Sequence, residues 1–326
     1  MASVRVILGW LLLVAAFTTI GLLATVTLGG ADPYFNSSEP GCSPTNPNPN
    51  YILCDDFDNG NWALLGNQNP PSGGSNDKGW LLCNDTGGPT TCRNPPPPAV
   101  TSLGQGVGNR GYAAMSTSTG GDGGDSQLGM HGFYPNNATY SHIWIRFYWY
   151  LEPGYVANGN QKIISLISSA YSGGIDQGGI GRDPTQPQAC PQWTCGQLNE
   201  GFLGQNQGNN ITIATGRWYY VELEVGVNTF NTRDGIWRMW INDCGTAGTS
   251  CGAAPILRAG YTNVGWIGSG TTSSTQIGSL WWDLWGNPAD VGTRRIDNLI
   301  VSKAGPIGFM GGSTAAPSAP TSTQLH

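Results

Sequence analysis

Residues 216–243, GRWYYVELEVGVNTFNTRDGIWRMWIND, form the stretch that decides the fold. Apolar residues alternate with polar or aromatic ones from Trp218 to Val227, and a similar alternation returns from Trp237 to Asn242. A period of two is typical of a β-strand that has two different faces. Between the two halves lie Asn, Asp and Gly residues, which turns favour. The stretch predicts a long β-hairpin, which must pack on a second layer because a lone hairpin is marginally stable.

A further strand with the same character is predicted at residues 141–151, SHIWIRFYWYL. If it shares a sheet with the hairpin, the residues on the non-apolar side of all three strands form one surface, which we call the polar–aromatic face. Its members are His142, Trp144, Arg146, Tyr148, Tyr150, Trp218, Tyr220, Glu222, Glu224, Arg238, Trp240 and Asn242. Aromatic patches with convergent polar groups mark binding sites, so we predict an open groove here. The alternative is a covered face in which Arg146 and Glu222 form a buried ion pair.

Composition limits the class of protein. The 326 residues include 50 Gly, 22 Pro and 13 Trp, and only 10% are charged. Such a chain is rich in loops and short strands, and its length is within reach of one all-β sandwich or barrel. The formal net charge of −6 argues against nucleic acid as a partner, because proteins that bind nucleic acid need a basic patch.

The first 31 residues are predicted to be an export segment. Arg5 is followed by an uncharged, largely apolar run that extends to Gly30. The small residues 29–31 suit cleavage of a signal peptide, whereas the length of the run suits a retained membrane anchor. Both alternatives place the remainder outside the cytoplasm, either secreted or anchored to the outer face of a membrane.

The eight cysteines fall into four close pairs, which favours disulfides over metal binding in an exported chain. The nearest-neighbour hypothesis pairs Cys42 with Cys54, Cys83 with Cys92, Cys190 with Cys195 and Cys244 with Cys251. Eight cysteines allow 105 connectivities, so this pairing is one hypothesis among many.

The remaining composition suggests a simple domain order. Residues 32–50, rich in Pro, Asn and Ser, are predicted to be a linker, and the domain begins near Tyr51. Residues 120–129 are expected to be a flexible Gly/Asp loop. Residues 308–326 have little to bury and are expected to be a disordered tail.

The order of these segments resembles a known superfamily. The strand at 142–150 is followed by QKIISL at 161–166, the hairpin, and RIDNLIVS at 295–302. This order resembles the concanavalin A-like lectin/glucanase superfamily, in particular its polysaccharide lyase-like and laminin-G-like jelly rolls, over residues 51–307. The resemblance implies an all-β fold: a two-sheet antiparallel jelly-roll sandwich with long Gly/Pro-rich loops and one concave, ligand-facing sheet.

The same resemblance implies candidate activities on a polysaccharide or glycan. In a lyase, a Tyr or His takes the proton beside a uronate while cationic or amide groups neutralise its carboxylate. Candidates for these roles are His142, Arg146, Tyr148, Lys162, Tyr220 and Arg238. The Arg-Thr-Glu-x-Arg and Gln-Ile-His signatures of one alginate lyase group are absent from the sequence.

Three alternatives to a lyase stay open. A glycoside hydrolase needs two carboxylates, and Glu222 and Glu224 point to the same side of a strand with Cα atoms about 6.5–7 Å apart. A non-catalytic lectin-like module needs only rings and hydrogen-bonding groups, which are available from Trp144, Tyr150, Trp218, Trp240 and Asn242. A cell-envelope interaction protein is the third alternative.

No cofactor is required by any of these activities. A structural calcium ion is an additional hypothesis, because jelly rolls often bring the two ends of the domain together. Asp56 near the first strand and Asp297 near the last are its candidate ligands.

Overall fold

The structure of the protein is a computed structural model that describes part of the chain. The described residues are 34–58, 80–84, 100–101, 106–116, 126–130, 133, 138–156, 161–162, 164–167, 180–182, 188–189, 211–268, 273–274, 276–283 and 292–310. All of them belong to one compact unit, Ala31–His326. The predicted export segment lies outside the described residues.

Strands dominate the part of the chain that the structure describes, and its one helical element is a 3₁₀ turn at Val107–Asn109. The strands are β1 (Phe35–Asn36), β2 (Tyr51–Asp55), β3 (Trp80–Asn84), β4 (Val100–Thr101), β5 (Tyr112–Ser116), β6 (Ser126–Met130), β7 (His142–Leu151), β8 (Gln161–Lys162), β9 (Ile164–Ile167), β10 (Ile180–Arg182), β11 (Gln188–Ala189), β12 (Trp218–Gly226), β13 (Gly235–Asp243), β14 (Leu257–Val264), β15 (Ser279–Asp283) and β16 (Thr293–Ser302). This content confirms the all-β class.

The described strands form three sheets. The large sheet has the order β1-β2-β16-β7-β12-β13-β14, with β5 paired to β16 and β4 paired to β5. The small sheet has the order β3-β6-β15-β9, and a short ribbon has the order β11-β10-β8. All pairings are antiparallel except that of β1 with β2, which is parallel.

The hairpin β12–β13 forms as its alternation predicts. Val221 lies opposite Ile241 and Leu223 opposite Met239, so the apolar side chains of both strands face the same side. Asn228 closes the hairpin end: its side-chain oxygen accepts hydrogen bonds from the main-chain N–H groups of Trp266 and Ile267, at 2.5 and 2.8 Å. These bonds satisfy buried main-chain donors where the strand pairing ends.

One hydrophobic core draws on both the large and the small sheet. Apolar residues of β7, β12 and β13 on the large sheet form a cluster that also includes Ile164, Leu166 and Leu280 of the small sheet. The apolar face of the large sheet is therefore buried against a second layer, as a strand with one apolar face requires.

Two segments differ from the sequence-based expectation. Residues 126–130, most of which were expected to lie in a flexible loop, form β6 and pair with β3 and β15. Residues 34–50, expected to be a linker, belong to the fold: β1 pairs with β2, and Tyr34 and Phe35 are buried. Two buried aromatic rings stabilise a segment whose Pro- and Asn-rich composition suggests a loop.

Two of the four nearest-neighbour disulfides are confirmed. Cys42 is bonded to Cys54, and Cys244 to Cys251. Cys83 lies in β3, where only the backbone is described, and its expected partner and the pair Cys190/Cys195 lie outside the described residues. Among the residues that the structure describes, no helix is long and apolar enough to cross a membrane.

The first prediction concerns the Cys42–Cys54 bond, which closes a loop of sequence separation 12. Replacing both cysteines by serine is expected to lower the free energy of unfolding by about 3 kcal/mol, because the open loop gains entropy in the unfolded state. Urea unfolding measures the change. The matched control replaces Cys244 and Cys251, separated by 7, and is expected to cost slightly less. A loss below about 1 kcal/mol for the first pair would contradict the docking of residues 34–50.

Candidate functional site

Strand register brings the polar–aromatic residues together on one side of the large sheet. Glu222 of β12 lies opposite Arg146 of β7. Two residues further along β12, Glu224 lies between Trp144 of β7 and Arg238 of β13. Side chains alternate across a strand, so these groups lie on the side opposite the core. The three strands therefore form one polar–aromatic face.

Most of this face is buried, so the predicted open groove is wrong for its centre. The residues with at most 4% exposure are Arg146, Tyr148, Trp218, Tyr220, Glu222, Trp240 and Asn242. Many of them form a second hydrophobic cluster together with Val107, Tyr112 and the Cys244–Cys251 disulfide. Residues from distant parts of the chain cover the sheet at this point, which agrees with the alternative of a covered face.

The chain just beyond β16 covers the middle of the face. Glu222 accepts hydrogen bonds from the N–H groups of Ile307 and Gly308, at 2.7 and 3.0 Å. The Tyr148 hydroxyl accepts one from the N–H of Met310 at 3.0 Å. The beginning of the expected tail, residues 308–310, is therefore part of the fold, whereas residues 311–326 lie outside the described residues.

Phe309 completes this cover. Its ring contacts Tyr220 edge-on, with centroids 4.7 Å apart and an interplanar angle of 78°. Edge-to-face geometry is a favourable arrangement of two aromatic rings. The ring contact and the main-chain hydrogen bonds together explain why a Gly- and Ser-rich segment begins with ordered residues.

Arg146 pairs with Glu39 of the N-terminal segment and not with Glu222. Its Nη2 and Nη1 atoms lie 2.5 and 3.1 Å from the two carboxylate oxygens. Arg146 has no exposure and Glu39 has 10%. Burial acts to lower the pKa of Arg146, but the charge of Glu39 outweighs it and raises that pKa. The predicted buried ion pair exists with a different partner.

Glu222 is not available as a catalytic carboxylate. The Tyr220 hydroxyl donates a hydrogen bond to it, in addition to the two main-chain donors described above. Burial raises the pKa of Glu222, although these hydrogen bonds oppose the effect. Burial also raises the pKa of the Tyr220 hydroxyl, with a further contribution from the charge of Glu222. The geometry does not support hydrolysis by Glu222 and Glu224, because no water or substrate reaches Glu222.

Asn242 has a structural role in place of the predicted contact with substrate. Its side-chain nitrogen donates to the carbonyl oxygens of Cys251 and Ala254, at 2.7 and 3.0 Å. Its side-chain oxygen accepts from the N–H of Ile256 at 2.8 Å. These three bonds use the amide to hold the loop closed by the Cys244–Cys251 disulfide against the sheet.

The far end of the face is occupied by an arginine. The guanidinium of Arg295 lies 4.6 Å from the centre of the Tyr150 ring and 4.3 Å from that of Tyr112. Its Nε also donates to Glu152 at 2.5 Å. Cation–π contact with the protein's own arginine takes the place on Tyr150 that the sequence suggested for a sugar. Trp218 packs beside Tyr150 and is buried as well.

Solvent reaches the polar–aromatic face at one end, at four residues that we call the exposed cluster: His142, Trp144, Glu224 and Arg238. Their side chains are exposed by 34% for His142, 17% for Arg238 and 7% for Glu224, and Trp144 is partly exposed. The strands β7 and β13 begin here and β12 ends here, so the cover of the central face does not extend over these positions.

Glu224 organises the exposed cluster. One carboxylate oxygen lies 2.9 Å from His142 Nε2, and the other accepts from Arg238 Nη1 at 2.6 Å. Burial acts to raise the pKa of Glu224, but the hydrogen bonds from His142 and Arg238 outweigh it and lower that pKa. The carboxylate is therefore held ionised. The rings of His142 and Trp144 stack, with centroids 4.2 Å apart and an interplanar angle of 16°.

The other predicted site residues are separate from the cluster. Lys162 lies in β8 of the short ribbon, opposite Gly181, and only its backbone is described. Asp56 and Asp297 accept hydrogen bonds from main-chain N–H groups, of Ser38 and Val107 respectively, at 2.7 Å each. The described residues contain no group of three side chains suited to a metal ion. Asp56 and Asp297 as they stand do not fit the calcium hypothesis.

Residues that the sequence analysis missed account for most of the cover. Glu39 lies in a segment interpreted as a linker, and residues 307–310 carry no strand pattern. Both segments contact the face over long sequence separations, 107 residues for the bond from Glu39 to Arg146 and 162 for that from Met310 to Tyr148. No local pattern in the sequence signals such contacts.

The fold and the exposed cluster together define an all-β protein with antiparallel sheets, a covered outer face and a small polar and aromatic patch at one end. No family model matches the sequence, and no curated protein matches it.

Three solved structures that the chain resembles illustrate what comparison adds. They are an alginate lyase from Aplysia kurodai (TM-score 0.38, 14% identity, 59% of this chain and 82% of that chain), an endo-β-1,4-glucuronan lyase from Trichoderma reesei (0.40, 13%, 78% and 96%) and a cellulose-induced protein (0.39, 15%, 77% and 97%). The first two agree with the polysaccharide lyase-like resemblance of the sequence. At these TM-scores the similarity does not assign an activity or a substrate to this chain.

A second prediction tests the buried ion pair. Replacing Glu39 by alanine leaves the Arg146 charge buried without its partner, which is expected to lower the free energy of unfolding by about 3–5 kcal/mol. Arg217→Ala is the matched control, because Arg217 and Asp243 form an exposed pair at 2.8 Å. This control is expected to change stability little. Equal effects of the two substitutions in urea unfolding would show that Glu39 is not the partner of Arg146.

A third prediction concerns pH. The pKa of Glu224 is lowered from 4.5, so its ionisation stabilises the fold above that value, and this contribution is lost as the pH falls through the folded pKa. The stability advantage of the wild type over Glu224→Gln is therefore expected to shrink below pH 4.5. The pKa of Glu222 is raised from 4.5, so the wild type is expected to lose stability relative to Glu222→Gln as the pH rises above that value. Urea unfolding across this range measures both trends, and trends of the same sign would contradict the assignment.

Proposed function

We propose that this protein is exported and binds a polysaccharide through the exposed cluster of His142, Trp144, Glu224 and Arg238. The observation that carries the proposal is the solvent-reachable stack of Trp144 on His142 beside the ion pair of Glu224 and Arg238. Sugars present flat apolar faces edged with hydroxyl groups. The cluster offers a matching combination of aromatic rings and hydrogen-bonding groups.

The aromatic part of the cluster is preorganised. Because the two rings lie nearly parallel at 4.2 Å, each restricts the rotation of the other. A ring already held in one orientation loses little conformational entropy when a ligand stacks on it. Trp144 lies between β12 and β16 on the sheet, opposite Glu224 and Ser302, so its backbone is also fixed.

The polar part of the cluster can bind two hydroxyl groups side by side. The ionised carboxylate of Glu224 accepts hydrogen bonds, and a guanidinium has five N–H donors, of which Arg238 uses one for Glu224 in the bond described. Neighbouring hydroxyls of a sugar ring act as both donors and acceptors. The pair therefore orients a sugar whose face lies on the rings.

Export is supported by the cysteines. The two disulfides in the described part of the chain suit an oxidising compartment, as the N-terminal apolar run also suggests. Polysaccharides of cell walls and matrices occur outside the cytoplasm, where such a protein meets them. A retained N-terminal anchor would keep the binding domain at the membrane surface.

Binding is favoured over lyase chemistry by the fate of the candidate catalytic groups. Tyr148 and Tyr220 are buried, and their hydroxyls are engaged with Met310 and Glu222. Burial raises the pKa of both hydroxyls, so neither is readily ionised to act as a base. Arg146, which would neutralise a uronate in a lyase, is paired with Glu39.

A fourth prediction tests the binding site. Trp144→Ala is expected to weaken retention of the pure protein in polysaccharide-containing gels by about tenfold, since loss of a stacked ring at a binding site costs more than about 1.4 kcal/mol. Val156→Ala removes another exposed apolar side chain, outside the cluster, and is expected to leave retention unchanged. Circular dichroism of each variant checks that the fold persists.

Trp281→Ala gives the experiment a second arm. Trp281 lies in β15 of the small sheet, opposite Gly129 and Ser165. Loss of retention in this variant, with full retention in Trp144→Ala, would place the polysaccharide on the small sheet and contradict the proposed site.

Lyase activity is tested separately. Incubation of the wild type with polymers of uronic acids is expected to give no rise in the ultraviolet absorbance of unsaturated sugars. A steady rise that Tyr220→Phe abolishes would show that the buried tyrosine is reached by substrate and would replace the binding proposal by a catalytic one.

A further inference from the structure

We infer that the exposed cluster selects neutral polysaccharides over polyuronates, and that Glu224 is the residue that determines this specificity. The inference rests on the proposed function, which it deepens by naming the class of polymer. It follows from how the charges of the face are paired.

Within the exposed cluster, one carboxylate serves two partners. Glu224 lies 2.9 Å from His142 and 2.6 Å from Arg238. The positive charge of Arg238 is matched by Glu224, so with a neutral His142 the cluster has no net charge. A cation that is already paired attracts a second carboxylate weakly, because its field is largely cancelled.

The charged groups beneath the cluster are paired too. Arg146 is bound by both oxygens of Glu39, and Glu222 is held by Tyr220 and two main-chain N–H groups. Arg258, on the neighbouring strand β14, donates its Nε to the carbonyl oxygen of Ile241 at 2.9 Å. Each cation of the polar–aromatic face therefore has a carboxylate partner within the chain: His142 and Arg238 share Glu224, and Arg146 has Glu39.

A uronate at this position would meet two unfavourable effects. Its carboxylate would lie near the ionised carboxylate of Glu224, and like charges at close range repel. The chain as a whole carries a formal net charge of −6, which further disfavours approach of a polyanion.

A neutral sugar meets neither effect. One hydroxyl donates to Glu224, and its neighbour accepts from a free N–H of the Arg238 guanidinium. The ion pair persists in this arrangement, so the polymer gains hydrogen bonds without separating charges. A neutral polymer with flat sugar faces, such as a β-linked glucan or xylan, combines these bonds with stacking on the rings.

The test compares retention of the full chain in native gels that contain a neutral β-glucan, a neutral xylan or a polymer of glucuronic acid. The wild type is expected to be retarded by at least one neutral polymer and at least tenfold more weakly by the polyuronate. Glu224→Gln keeps the shape of the side chain and removes its charge, which leaves Arg238 unmatched. This variant is expected to lose several-fold in retention by the neutral polymer and to gain retention by the polyuronate.

Glu222→Gln is the matched control. It changes the net charge by the same amount but alters a buried residue outside the cluster, so its preference for neutral polymers is expected to equal that of the wild type. A gain in polyuronate retention by this control as large as that of Glu224→Gln would show that overall charge, and not the cluster, sets the preference, and would overturn the inference.

The outcomes separate the inference from the proposed function. Stronger retardation of the wild type by the polyuronate would overturn the inference and leave polysaccharide binding in place. Failure of Glu224→Gln to gain polyuronate retention would remove Glu224 as the specificity determinant. No retardation of the wild type by any of the three polymers would overturn the proposed function itself, and the inference with it.

Discussion

The ion pair between Arg146 and Glu39 is the interaction on which the rest of the polar–aromatic face depends. Arg146 lies near the middle of β7, a central strand of the large sheet, with no exposure to solvent. A charge in this position is costly unless it is paired and hydrogen-bonded. Glu39 meets this need through both of its oxygens, and in doing so it fixes the segment before β2 against the sheet. The Cys42–Cys54 bond holds the same segment at a second point.

A large sheet buried on both faces follows from this arrangement. One face packs on the core shared with the small sheet, and the other is covered by segments near both ends of the described chain. The second cover uses hydrogen bonds more than apolar area: Glu222 and Tyr148 accept from the main chain of residues 307–310. Polar side chains are well suited to this purpose, because they satisfy main-chain donors that have no strand partner.

The sequence predicted what depends on local pattern and failed on what depends on distant contacts. The alternation in β7, β12 and β13 predicted the strands and the residues that share each face, because side-chain direction along a strand has a fixed period of two. Whether a face is open depends on segments that return to it from far along the chain. Glu39 and Phe309 lie in stretches whose Gly, Pro and Asn content suggested a linker and a tail, and one ion pair and one ring contact override that composition. Their roles had no signal of period or spacing.

Coverage of the central face also limits the kind of recognition that the surface supports. Stacking and hydrogen bonding are available over the width of three strands at one end, where Trp144, Glu224 and Arg238 are neighbours in register. A patch of this size contacts one or two sugar rings, so we expect modest affinity per site, because a small contact area must offset the entropy lost on binding. Repetition along a polymer compensates in part, since each repeat unit offers the patch another equivalent ligand and raises the effective concentration of sugar near it. A charge-balanced patch gains most from this effect with an uncharged polymer, where no electrostatic repulsion grows with the length of the chain.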